Sequence, residues 1–129
     1  MTDEKTPSER WLYHIALRDE WLEAGEHYVP GGYANEGFIH LSKASQVEAT
    51  AGRYYANRTD IVVLRIDANA LTDEVVEENL LGGTELFPHL YGPCPRSAVV
   101  ATGRIRWSDC GTATLEFEQA ENGLGADPS

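Results

Sequence analysis

The segment Ile61-Val62-Val63-Leu64-Arg65-Ile66 (IVVLRI) has the clearest strand pattern in this sequence of 129 residues. It is short and rich in branched aliphatic side chains, and a polar connection, Arg-Thr-Asp, precedes it. Such side chains pack well on a pleated surface, and the run is too short for a buried helix. We therefore assign a buried strand here and interpret the rest of the chain around it.

Apolar or alternating segments predict five more strands. They lie at residues 11–16, 37–42, 75–78, 98–107 and 113–117. Residues 81–93 are predicted to be mainly loop, because Gly and Pro interrupt them.

Two helices are predicted among the early strands, at residues 17–24 and 42–57. Ser42 is expected to cap the second helix, in which Val47, Ala51 and Tyr54 make one face with Tyr55 beside it. Helices come early, strands dominate later, and no regular strand–helix alternation is present. The sequence therefore predicts an α+β fold, a mostly antiparallel sheet with one or two packed helices.

The length predicts one domain at residues 10–118, large enough to bury a core without disulfides. Residues 1–9 and 119–129 are polar and contain Pro or Gly, so we expect disordered tails. No apolar run approaches membrane-spanning length, which predicts a cytoplasmic protein. Cys94 and Cys110 lack metal or redox spacing, and free thiols are expected.

The net charge of −11 argues against nucleic-acid or anionic-membrane partners, which are attracted by clustered Lys and Arg. A small anionic ligand is still compatible with this charge if a few Arg side chains or backbone amides converge. The sequence carries no prediction of oligomeric state.

The histidines are the first candidates for chemistry, since the chain has only four. Strand alternation puts Phe38, His40 and Ser42 on one face of their strand. His14 lies in the first predicted strand, so His14 and His40 are expected to point into one cleft. The 81–93 loop adds three further candidates, Glu85, His89 and Tyr91. The competing interpretation is that each histidine is structural and bonds a backbone carbonyl.

Several kinds of site are excluded or disfavoured by spacing. No H-x-x-x-H or H-E-x-x-H pair is present, so no metal is predicted. The G-x-S-x-G elbow of a hydrolase is absent, and nothing around Cys94 indicates an activated thiol. Neither a dinucleotide fingerprint nor a phosphate-binding loop is present. What is left is an inventory of His, aromatic rings and a carboxylate, which suits a ribose and a flat ring.

The motifs "YHIA", "EGFIHLS", "VVLRID" and "GGTELFPHLYGPCP" resemble the bacterial and plant family called domain of unknown function nine-five-two (DUF952). The resemblance covers residues 11–103. It implies a fold similar to that of the ADP-ribosyltransferases, a split β-sandwich with an NAD-sized cleft. Cys94 departs from the aliphatic residue expected there, which argues further against a catalytic thiol.

The resemblance also implies roles for individual residues. NAD is the expected cofactor, with Glu85 and His89 as candidate catalytic groups. The candidate cofactor-binding residues are His14, Phe38, His40, Ser42 and Tyr91. The pair of histidines is more similar to the RNA 2′-phosphotransferase branch, although the acidic chain lacks the basic residues that RNA requires.

Three functions stay open at this point. The first is an NAD-binding transferase of ADP-ribosyl or phosphoryl-related groups, and the second is a nucleotide or small-ligand sensor without turnover. The third is an interaction module with structural histidines. Glu85 beside His40 would favour catalysis, and a solvent-facing Glu85 would favour binding alone. A cleft filled by Phe38 and Tyr91 would favour the interaction module.

Overall fold

The computed structural model describes residues 10–79 and 83–117. The predicted tails at 1–9 and 119–129, residue 118 and part of the predicted 81–93 loop lie outside the described residues. The α-helices are α1 (Arg18–Glu23), α2 (Tyr33–Glu36) and α3 (Val47–Tyr54). The strands are β1 (Trp11–Leu17), β2 (His27–Tyr28), β3 (Ile39–His40), β4 (Ile61–Asp67), β5 (Val75–Glu78), β6 (Phe87–Leu90), β7 (Cys94–Pro95), β8 (Val99–Trp107) and β9 (Ala113–Phe117). Short 3₁₀ turns cover Ala68–Ala70 and Arg96–Ala98.

The predicted IVVLRI strand is an inner strand of the main sheet. This sheet has the order β1-β4-β8-β9, and every pair in it is antiparallel. Side chains along its strands point alternately into two hydrophobic cores, as expected for a sheet that is covered on both faces. One face contributes residues such as Leu12, Leu64 and Ile66. The other contributes Ile15 and Val63, which pack with α3.

A second, three-stranded antiparallel sheet has the order β3-β6-β5. It joins the main sheet through one bridge, in which the N–H groups and carbonyls of Tyr13 and Ser42 bond each other at 2.8 and 2.7 Å. A separate antiparallel pair, β2-β7, completes the arrangement. The prediction of a mixed fold with mostly antiparallel strands is confirmed. No helix in the described ranges is long and apolar enough to cross a membrane.

Two local predictions are wrong. Ser42 does not cap α3, because its backbone bonds β1 and the helix begins only at Val47. Tyr54 is exposed, whereas Tyr55 packs against the core next to α3. In both cases a tertiary contact takes precedence over the local pattern.

The interpretation of residues 81–93 as mainly loop is also wrong in part, because Phe87–Leu90 form the middle strand of the three-stranded sheet. Pro88 lies inside this strand, where proline is normally disfavoured. Its carbonyl nevertheless accepts the Leu41 N–H at 2.9 Å, so the residue takes part in pairing as an acceptor.

Candidate functional site

Four aromatic side chains meet on one face of the three-stranded sheet: Phe38, His40, His89 and Tyr91, here called the ring cluster. Phe38 stacks on His89 with ring centroids 4.4 Å apart. His40 meets both rings edge-on, 4.9 Å from Phe38 and 5.1 Å from His89. Tyr91 lies 5.3 Å from Phe38. These separations are those of contacting aromatic pairs, so the rings pack on one another.

The ring cluster follows from a glycine and from strand register. Gly37 has a left-handed φ of 82°, and its N–H bonds the Tyr33 carbonyl, which ends α2. A glycine fits this helix end because it carries no Cβ. The chain then extends, so that Phe38 and His40 share a face while Ile39 is buried on the other. Pairing places His40 directly opposite His89.

Each histidine of the ring cluster contacts a glutamate. His89 Nδ1 lies 2.9 Å from Glu78 Oε2, and the Tyr91 hydroxyl donates to the same oxygen. His40 Nε2 lies 3.1 Å from both carboxylate oxygens of Glu36. The bonds from Tyr91 and His89, in that order, hold the pKa of Glu78 below its ordinary value. The Glu78 contact in turn raises the pKa of Tyr91.

The two histidines differ in what they can do. Glu78 holds the Nδ1 proton of His89, so that in the neutral ring Nε2 is the acceptor. A carboxylate that orients an imidazole is the arrangement of a general base. The side chain of His89 is only 6% exposed, however, whereas that of His40 is 60% exposed. His40, Glu36 and Tyr91 are therefore the groups that solvent or a ligand reaches first.

His14 is not part of the ring cluster, and the expectation that it shares a cleft with His40 is wrong. Its Nδ1 donates to the His40 main-chain carbonyl at 2.7 Å, and its Nε2 accepts the Tyr28 hydroxyl at 2.9 Å. The ring lies on the opposite face of β1 from Tyr13, among buried core residues. Burial lowers the pKa of His14 from 6.5 to about 4, so the ring is neutral at pH 7.

Ser42 and Glu85 also lie away from the rings. The Ser42 hydroxyl donates to Thr50 Oγ1 at 3.5 Å, toward α3. Glu85 is exposed, and its carboxylate accepts the Gln46 side-chain amide at 3.0 Å. Of the seven predicted site residues, the structure thus brings together the four of the ring cluster and leaves His14, Ser42 and Glu85 elsewhere.

The shape of the site differs from an open cleft. Phe38 is buried and fills the space beside His89. Two surface grooves among the described residues, of about 610 and 460 Å³, border His27, and no residue of the ring cluster lines either of them. The ring cluster is therefore a surface shelf, on which a ligand would rest against His40 and Tyr91.

Metal and thiol chemistry have little support in this part of the chain. No group of three metal-ligating side chains occurs within residues 10–79 and 83–117. Both cysteines are free. Burial raises the pKa of the Cys94 thiol to about 11, so it is protonated at pH 7. Cys110 is exposed, and its hydrogen bonds with Ser108 and then Thr112 lower its pKa.

Family membership follows from sequence comparison. A profile described as "Protein of unknown function (DUF952)" matches residues 15–102, which is more than half of the chain. The chain belongs to the DUF952 family. The match confirms the family predicted from the motifs around His40 and His89.

Solved structures extend the comparison. The DUF952 chain is similar to protein CC0527 from Caulobacter crescentus, with 29% sequence identity to its crystal structure. The match covers 81% of this chain and 93% of that one, with a TM-score of 0.70. The solution structure of CC0527 is also 29% identical, with 81% and 91% covered and a TM-score of 0.67. No curated protein matches the chain. The likeness to ADP-ribosyltransferases stays a prediction.

Sequence reasoning missed the two glutamates of this DUF952 site. Glu36 lies four residues before His40, a spacing that brings the two side chains together once Gly37 reverses the chain. Glu78 could be assigned only through pairing, because β5 pairs with β6 and places Glu78 diagonally across from His89. The sequence contains both carboxylates next to predicted strands, yet nothing local distinguishes them from solvent-facing acids.

Proposed function

We propose that this DUF952 protein binds NAD or a related nucleotide on the ring cluster, within an ADP-ribosyltransferase-like fold. The observation that carries the proposal is His40, an imidazole that stays largely exposed while it contacts aromatic rings and a carboxylate. A histidine that served the core alone would be expected to bury its ring, as His14 does.

The chemistry of the shelf suits a base and a sugar. A flat base can stack against the accessible faces of His40 and Tyr91, since aromatic pairs of this kind stabilise by stacking or edge contact. Ribose hydroxyls both donate and accept hydrogen bonds. The carboxylates of Glu36 and Glu78 are acceptors for them, and the imidazole of His40 completes the polar set.

ADP-ribosyl transfer is the reaction that we propose for such a ligand. Loss of nicotinamide develops positive charge on the ribose, and a nearby carboxylate stabilises that charge more in the transition state than in the ground state. Glu85 was the predicted carboxylate, but it bonds Gln46. Glu78 contacts His89 and Tyr91, and it therefore replaces Glu85 in this proposal.

The test is calorimetric titration with NAD, ADP-ribose and nicotinamide. Wild-type protein is expected to bind at least one of them, and His40→Ala is expected to weaken binding tenfold or more, about 1.4 kcal/mol. His27→Ala is the matched control, because His27 is also exposed but borders the grooves away from the ring cluster. If none binds at millimolar concentration, the proposal is abandoned.

Nicotinamide release separates catalysis from recognition. We expect Glu78→Gln to reduce the release rate more than it reduces NAD affinity, and Glu85→Gln to change neither. Rates that fall in Glu85→Gln but not in Glu78→Gln would contradict the assignment.

A second candidate function is nucleotide binding without turnover. The exposed position of Glu85, bonded to Gln46, favours it, because the predicted catalytic carboxylate is absent from the shelf. In that case NAD binds and His40→Ala weakens it, while no nicotinamide is released by the wild type.

A further inference from the structure

One nitrogen of the ring cluster has no partner within the protein. His89 Nδ1 contacts Glu78, whereas His89 Nε2 has no hydrogen bond to any described residue. Among the described residues, Arg65 Nε is the one fully buried side-chain nitrogen or oxygen that lacks a hydrogen bond. His89 Nε2 is therefore not fully buried, and the 6% exposure of this side chain includes that atom. An unpaired acceptor thus reaches the surface from a ring that packs against Phe38 and His40.

The carboxylate of Glu78 determines which nitrogen of His89 carries the proton. A carboxylate only accepts hydrogen bonds, so Nδ1 holds the ring proton and Nε2 keeps a free lone pair. Glu78 Oε2 receives both the Nδ1–H group and the Tyr91 hydroxyl. Glu78 Oε1 has no hydrogen bond to a described residue. The same carboxylate can therefore orient the imidazole through Oε2 and face a ligand through Oε1.

A purely structural role explains His89 less well than it explains His14. The two residues are buried to a similar degree, with 4% and 6% of their surface exposed. His14 uses both ring nitrogens, which bond the His40 carbonyl and the Tyr28 hydroxyl. His89 uses one, and an acceptor with so little access to water is costly to leave unpaired. The missing partner is an O–H or N–H donor that arrives with a ligand.

We infer that His89 is the general base of the ADP-ribosyl transfer, and that the acceptor substrate it serves is a hydroxyl group, of water or of an alcohol. The inference rests on the proposed function. As the bond between C1′ of the ribose and nicotinamide breaks, nicotinamide leaves with the electron pair. The hydroxyl oxygen forms the new bond to C1′, and its proton passes to His89 Nε2. Glu78 stabilises the imidazolium through Nδ1 until the proton is released to solvent.

The chemistry of an imidazole selects a hydroxyl over a guanidinium as acceptor. A guanidinium carries five donors and no lone pair for attack, and its pKa lies above 12, far beyond what an imidazole can deprotonate. A hydroxyl keeps its lone pairs and loses its proton only as the new bond forms, so a base assists it directly. The small opening at His89 Nε2 also favours a slender O–H group over a branched cation.

A pair of small acceptors tests the acceptor class. Wild-type protein is incubated with NAD in the presence of methanol or of methylguanidine, and the products are identified by chromatography and mass spectrometry. We expect ADP-ribose and its methyl glycoside, and no adduct of methylguanidine. An adduct of methylguanidine without one of methanol would overturn the inference.

A variant that lacks only the second ring nitrogen tests the residue. His89→Asn can keep an N–H donor near the position of Nδ1, toward Glu78, and it removes Nε2. At saturating NAD, nicotinamide release is expected to fall about 100-fold or more, the usual contribution of a general base. NAD affinity is expected to change less than about threefold, since the base acts on the acceptor. His27→Asn is the matched control and should change neither value, and thermal melting checks the folding of both variants.

The pH profile of the wild type decides if His89→Asn does not fold. Nicotinamide release should decrease between about pH 8 and pH 5, because protonation of Nε2 removes the base. The ionisable groups around His89 are Glu78 of β5, Tyr91 after β6 and His40 of β3, which contacts Glu36 of α2. His40 can also bind a proton, so the decrease must persist in His40→Gln at saturating NAD. A flat profile would overturn the inference.

The outcomes separate this inference from the proposed function. If NAD binds and His40→Ala weakens it, but the wild type releases no nicotinamide, the role of His89 is refuted and nucleotide binding stands. If His89→Asn releases nicotinamide at the wild-type rate, the role of His89 is refuted and the transfer reaction stands. If NAD, ADP-ribose and nicotinamide all fail to bind, both proposals fail together.

Discussion

Two histidines on neighbouring strands, His14 and His40, differ in burial and in their hydrogen-bond partners. His14 lies in the core with both ring nitrogens bonded to neutral protein groups, the His40 carbonyl and the Tyr28 hydroxyl. His40 lies on the surface, where Nε2 contacts the carboxylate of Glu36. The carbonyl of His40 is held by His14, so the buried histidine positions the backbone of the exposed one. An imidazole with both nitrogens bonded inside the core thus acts as a structural cross-link, whereas an exposed imidazole beside a carboxylate is free to bind a ligand.

The largest expected effect is on the free energy of unfolding, which should fall far more when His14 is replaced than when His40 is replaced. His14→Ala leaves the Tyr28 hydroxyl and the His40 carbonyl without partners and opens a cavity, so we expect a loss of about 3 kcal/mol or more. His40→Ala is expected to cost about 0.5 kcal/mol or less, because most of its ring is exposed. Urea unfolding at pH 7 measures both, with His27→Ala as an exposed control. Equal losses would show that the two positions do not differ in this way.

A smaller effect is expected on the pH dependence of stability, to which the buried His14 contributes. His14 has a folded pKa of about 4 against 6.5 for a free histidine. The unfolded chain therefore binds a proton that the folded chain does not, and stability must fall as pH drops from 6.5 toward 4. Between about pH 7.5 and pH 5 we expect a loss of roughly 2 kcal/mol from this residue.

The measurement is urea unfolding of wild type and His14→Gln at both pH values. The variant has no titrating group at this position, so its stability should change less over the same interval. Asp60 and Asp67 have lowered pKa values and lose their contribution only at more acidic pH. An unchanged pH dependence in His14→Gln would contradict a buried neutral His14.

The smallest expected effect lies inside the ring cluster. Glu78→Gln removes the carboxylate whose hydrogen bond, and then charge, raise the pKa of Tyr91, so this phenol should titrate closer to its ordinary pKa of 10.0. The ¹⁵N signals of His89 should shift as well, while those of His14 stay in place. Ultraviolet titration and NMR measure the two effects, and Glu85→Gln is the control. A Tyr91 pKa that does not move would place Glu78 away from the hydroxyl.

Local sequence patterns predicted correctly the strands that are marked by an apolar or alternating run. β4, β5 and β9 occur where the apolar runs place them, and Phe38 and His40 share a face as alternation requires. The predictions failed at residues whose partners are distant in sequence. Phe87–Leu90 were assigned to a loop because Gly and Pro interrupt residues 81–93, and Ser42 was assigned to a helix cap. Their structure depends on Leu41 and Tyr13, which no local window contains.

The candidate site divides in the same way. Its four rings were predicted from the motifs around His40 and His89, because those side chains are unusual within apolar segments. Glu36 and Glu78 were missed, since a charged residue near a strand end is most often solvated. Glu85 was chosen for its place in a reactive-looking loop, and its actual partner, Gln46, lies 39 residues away.

The sequence was enough to predict the alternation of the longer strands, the family and the chemical inventory of His, Glu and aromatic rings, because these depend on neighbours within a few residues. The short strands β2, β6 and β7 were not predicted. The burial of His14, the exposure of His40 and the carboxylates that reach the ring cluster depend on the tertiary structure. The physical reason is register. Side-chain direction alternates with every residue, so the pairing of distant strands determines which groups share a face.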